Sequence, residues 1–87
     1  MQIVFDEIEI RPGSVEFFVS SYEREDRIYF DFEKSVVPDV NEVAVAMATM
    51  AGQSFDSIHI DLPLDSAVRS GIERFTHAHV TSAGRSE

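Results

Sequence analysis

The clearest alternation in the chain lies at residues 27–33. Ile28, Phe30 and Phe32 occupy one parity, and Tyr29, Asp31 and Glu33 the other, the period-two pattern of a half-buried strand. Upstream, a strand over 15–22 places Val15, Phe17 and Val19 on one face and Glu16, Phe18, Ser20 and Tyr22 on the other. The first strand, residues 2–10, changes parity, with Ile3 and Phe5 on one side and Ile8 and Ile10 on the other. Either a β-bulge near Asp6–Glu7 or a strand apolar on both faces at its start reconciles the two halves. Arg11-Pro12-Gly13-Ser14 reads as a turn, with Pro12 presetting φ and Gly13 able to take a positive one. Residues 23–26 form a charged connection of hairpin length. Three strands joined this tightly predict an antiparallel meander.

After Pro38 the period switches. Asp39 sits in an N-cap position with Glu42 three residues on, a capping-box arrangement. Val40, Val43, Ala44, Met47 and Ala51 then recur at helical spacing. The many alanines predict a thin helix that lies close to a sheet, and Gly52 stands at the position that ends it. Residues 57–61 read as a fourth strand, with Ile58 and Ile60 on one side and His59 and Asp61 on the other, stopped by Pro63. Asp65 or Ser66 caps a second helix whose apolar line is Val68, Ile72 and Phe75. Gly71 inside that helix costs about 1 kcal/mol against alanine unless a close packing contact uses its small size.

The elements predict an α+β, two-layer domain in the order β-β-β-α-β-α. It comprises a three-strand antiparallel meander plus a fourth strand, with the helices on one face. A right-handed crossover is expected to pair strands three and four in parallel. The domain is expected over residues 1–79, with 80–87 a flexible tail or linker.

Length and composition narrow the classes. A chain of 87 residues makes one domain. A domain of that size buries only about 60% of its unfolded surface, so it is stable by a narrow margin or leans on a partner. There is no cysteine, which excludes disulfides, thiolate chemistry and Cys-based zinc sites. No apolar run approaches the ~20 residues of a membrane helix, and no basic leader opens the chain. A cytoplasmic protein without membrane contact is the expectation. The net charge is −9, from 16 acids against 7 bases. That disfavours direct nucleic-acid binding, which needs Lys and Arg against phosphates. It suits solubility, or attraction to a basic partner.

Candidate chemistry is sparse. His59 with Asp61 and His77 with His79 are spaced like alternate ligands on strands, but nothing in the sequence brings the two pairs together. If 77–79 continue the helix, the two rings point about 200° apart. They read first as solvent-facing side chains near a helix C-terminus, where a cation suits the dipole. Carboxylates are abundant, yet they fall on strand faces and a hairpin tip rather than in a pocket that sets two of them apart. The serines lack a nucleophile-elbow pattern, and the four glycines are too scattered for a phosphate loop. Met47 and Met50 read as core filler before they read as a peptide groove. The expectation is therefore a protein that is not an enzyme and carries no metal or cofactor.

The run VVPDVNEVAVAMATMAG followed by FDSIHIDLPLDSAVRSGIERF resembles the N-terminal region of a group of multidomain bacterial proteins. In those, an Ala-Met-rich helix ending in glycine precedes a strand, a second helix and then a PP-loop ATP-pyrophosphatase domain. The resemblance covers residues 36–75 and is carried by Pro38, Ala46, Met47, Gly52, Ile58, Leu62, Pro63 and Ile72. The Ser-Gly-Gly-x-Asp-Ser signature of the PP-loop is absent, so no catalytic residue is carried over. What the resemblance implies is an accessory module serving recognition or scaffolding.

Aromatic side chains Phe18, Tyr22 and Tyr29 fall on the nominally polar sheet face. An aromatic sheet face suggests a second layer from a protein partner or a second copy. The alternative is that neighbouring charged side chains shield the rings. The candidate partner-binding residues are Phe18, Tyr22 and Tyr29 with the acidic rim Glu23, Glu25, Asp26, Asp31 and Glu33. The expected function is a small acidic protein-interaction or accessory module, able to form a homodimer through that face. The other reading is a phage- or mobile-element-encoded acidic inhibitor that mimics nucleic acid and blocks a basic groove of a host protein.

Overall fold

A computed structural model describes residues 1–22, 25–31 and 37–83. The elements are β1 (Gln2–Arg11), β2 (Ser14–Ser21), β3 (Glu25–Asp31), α1 (Val40–Ala51), β4 (Ser57–Ile60), α2 (Ser66–Thr76) and β5 (His79–Ser82). They form the expected α+β architecture, with two helices packed on a mixed five-strand sheet of order β3-β2-β1-β4-β5.

β1 resolves its change of parity with a bulge. Asp6 lies opposite Phe18 and Glu9 opposite Glu16, so two residues of β1 face the single Phe17. Glu7 takes the strain at φ 50°, a left-handed value that costs a residue with a Cβ roughly 1–2 kcal/mol. In return Ile3, Phe5 and Ile10 all reach the helix side. Gly13 has φ 83°, the left-handed value that the third position of a type II turn requires.

α1 begins in the expected capping box. The Asp39 carboxylate accepts from the Asn41 N–H at 3.1 Å, and the Asp39 N–H donates to Glu42 at 3.4 Å. Gly52, at φ 61°, ends the helix by donating to the Ala48 carbonyl. Asp65 caps α2 by position only. Its carboxylate instead accepts from the Asn41 side chain of α1 at 3.3 Å. At the other end the Gln53 amide donates to the Phe75 carbonyl at 3.0 Å. Starts are tied to starts and ends to ends, so the helices run parallel. A Cβ added at Gly71 would meet nothing within 4 Å, so no close packing contact uses its small size.

Two expectations are corrected. β4 does not pair with β3; it pairs in parallel with β1, Ile3 opposite Ile58 and Phe5 opposite Ile60. β3 and β4 run in the same direction but are separated by β2 and β1. The physical reason is burial: with β4 beside it, β1 sits in the middle of the sheet and Phe5 is fully buried, where an outer β1 would leave Ile3 and Phe5 at an edge. Second, the region expected as a tail from residue 80 begins within a strand. β5 pairs in parallel with β4, Val80 is buried opposite Ile58, and its N–H donates to Glu73 of α2 at 3.0 Å. Residues 84–87 lie outside the described residues.

Candidate functional site

Both faces of the sheet must be considered at β3, because cover runs out there. Strands lie about 4.8 Å apart, so five span roughly 24 Å. Two helices of about 10 Å each cover roughly 20 Å. α2 lies against β5 and α1 against β4 and α2. The strand left over is β3. Its helix-side residues, Ile28 and Phe30, are half-buried and exposed respectively, and Phe30 keeps 42% of its surface in solvent. Between it and α1 runs an apolar cleft of about 300 Å³, lined by Val15, Phe17, Phe30, Val43, Ala46 and Met47. Phe30 is in contact with Phe17 at 6.0 Å between ring centroids, and Phe17 in turn meets Phe5 edge-on at 5.8 Å.

The opposite, open face carries an ion network rather than a bare aromatic patch. Phe18 is half-buried, and the Arg27 guanidinium lies over its ring, 5.6 Å from the centroid. Glu7 receives a hydrogen bond from Arg27 at 2.8 Å, and Glu16 receives another at 3.3 Å. The Glu7 hydrogen bond leads the causes that raise the Arg27 pKa above its ordinary value, so the guanidinium stays charged throughout the accessible range. Arg11 pairs with Glu9 and approaches Glu16 at 3.7 Å. The bulge that strains Glu7 thus also delivers its carboxylate to β3, two strands away.

The candidate residues separate on this frame. Tyr29 lies on the open face of β3, opposite Glu16 on β2, and Arg27 lies opposite Phe18. Glu25 and Asp31 share that parity at the two ends of the strand, both exposed. Asp26 has the other parity, opposite Val19, so the acidic rim is split between the faces. Tyr29 is 59% exposed and Tyr22, just beyond β2, 66%. Glu23, Phe32 and Glu33 lie outside the described residues. What the sequence reading did not single out is Arg27, the hub of the network. Its signal was one of two bases, Arg24 and Arg27, set among the four acids Glu23, Glu25, Asp26 and Asp31, which charge counting merged into one acidic rim. Phe30 has the parity of a buried face but stays exposed, because alternation alone does not reveal that its strand is outermost.

The histidines do not converge. The His59 Nδ1 is 2.8 Å from the Thr81 hydroxyl, while His79 turns toward Glu73 of α2 at 3.8 Å. His77 occupies the left-handed position that ends α2. Among the described residues no group of three or more His, Asp or Glu side chains is arranged to hold a metal ion. No described helix is long and apolar enough to cross a membrane. Asp6 Oδ1 is buried without a hydrogen-bond partner at the start of the bulge.

A second apolar groove, about 270 Å³, runs between the helices on their outer side, past Val45, Thr49, Val68, Gly71 and Phe75. Phe75 is exposed here rather than on the inward line expected of it; the inward position goes to Thr76, whose hydroxyl donates to the Ile72 carbonyl at 2.7 Å.

Comparison with protein-family models, curated proteins and solved structures finds no match to this chain.

Proposed function

We propose that this chain is a protein-interaction module, accessory in character, that engages its partner through the β3 side of the sheet. One observation carries the reading: β3 is an outermost strand with exposed aromatic side chains on both of its faces, Tyr29 on one and Phe30 on the other. An edge strand presents a row of N–H and C=O groups that another chain can pair with. Aromatic side chains beside it supply apolar area at low entropic cost. The resemblance over residues 36–75 supports the same role, since it implies recognition or scaffolding.

The acidic-inhibitor reading has the −9 charge in its favour. It draws on exposed carboxylates such as Glu25 and Asp31; Glu7, Glu9 and Glu16 on the open face are paired with Arg27 and Arg11 and do not serve it. The interaction-module reading is tested by placing a photo-crosslinking side chain at position 29 and, as a control, at exposed Ser70 on α2. Adducts from position 29 and none from position 70 are expected. Equal yields from both positions would sink the reading.

A further inference from the structure

We propose that the partner is a second copy of this chain, joined antiparallel through β3 so that two five-strand sheets become one of ten. The proposal rests on the interaction-module reading and names its partner. Isologous pairing of two edges uses a two-fold axis perpendicular to the sheet. That axis keeps both open faces on the same side, so only residues of equal parity can stand opposite one another, and the register must be centred on a residue. Centring on Arg27 sets Arg27 against itself. Centring on Ile28 sets Glu25 against Asp31 and Asp26 against Phe30.

Centring on Tyr29 is different. Tyr29 meets its own copy on the open face. Arg27 stands opposite Asp31 on both sides of it, and on the helix side Ile28 stands opposite Phe30 twice. Directly opposed aromatic–aliphatic and opposite-charge pairs are the arrangements that stabilise an antiparallel ladder, and like charges the ones that destabilise it. Arg27 donates from two nitrogens to Glu7 and Glu16, and a guanidinium has five N–H donors, so it retains capacity for Asp31 of the other copy. Two copies of net charge −9 repel at a distance. Pairing is therefore confined to a surface that carries both signs, and this strand does. The Ile28–Phe30 contacts also cover the side chains that the two helices leave in solvent.

The absence of cysteine makes the register directly testable. Opposed residues in an antiparallel pair have Cα atoms about 4.5–5.5 Å apart, within the range a disulfide spans. Under mild oxidation Tyr29→Cys should link to itself, and Asp31→Cys should not. By sedimentation the parent should be a dimer, and Asp31→Lys, which sets two cations together, should dissociate at least about tenfold more readily. Melting curves of each variant confirm that it folds. A dimer in which Asp31→Cys links and Tyr29→Cys does not would overturn the pairing. A parent monomeric at every attainable concentration would overturn it too. If that monomer still captures another protein from position 29, the interaction-module reading survives without the second copy; if position 29 captures nothing, both fall.

Discussion

β1 and β3 are both strands of one sheet, both rich in large apolar side chains, and they meet opposite fates. In β1, Ile3 and Phe5 are sealed between β2, β4 and the helices. In β3, Phe30 is apolar in the same sense and faces the same way, yet nearly half of it meets solvent. Nothing in the local pattern distinguishes them. The difference comes from sheet order and from the width of a two-helix layer, which runs out before the fifth strand. Position in the sheet, and not the side chain, decides whether a phenylalanine is core or contact surface.

The sharpest way to break the comparison is to truncate both rings. Phe5→Ala should destabilise by about 3–5 kcal/mol, a large part of the total for a domain of this size. Phe30→Ala should cost about 1 kcal/mol in a monomer, since much of its surface is wet already. Equal losses in chemical denaturation would show that β3 is as well covered as β1. Next comes the far edge: Val80→Ala should cost roughly 1–3 kcal/mol, because Val80 is buried against β4, and a value near zero would argue that β5 frays. Asp39→Ala should remove about 1 kcal/mol by uncapping α1, read as a lower melting midpoint. Smallest and opposite in sign, Gly71→Ala should raise stability by about 0.5–1 kcal/mol, since the site is open and helical.

Much of this architecture was legible because local chemistry and tertiary structure agree. Asp39 and Glu42 mark the start of α1 in the sequence and form its capping box in the structure. The shift of parity between Phe5 and Ile8 marks a bulge because both halves of β1 must face one core. Gly13 and Gly52 stand where positive φ is needed. The rest was hidden for a different reason. β5 contributes a single buried side chain, Val80, and is held by backbone bonds to β4, so it has almost no period of its own. Adjacency of β4 to β1 is a long-range choice that no window of sequence contains. At the candidate surface, Tyr29 was legible by parity, whereas the Glu7–Arg27 pair depends on a bulge and a register two strands apart.

The place of β1 at the centre of the sheet also sets an order of events. β1 is made first, yet its second neighbour, β4, begins some 55 residues later along the chain. Until Ser57 onward exists, one edge of β1 is open and the Ile3–Phe5 side has no parallel strand beside it. A chain emerging from its N-terminus can assemble the hairpins of β1, β2 and β3 early, but must carry an exposed apolar flank through the synthesis of α1. The first strand made is thus among the last to be enclosed.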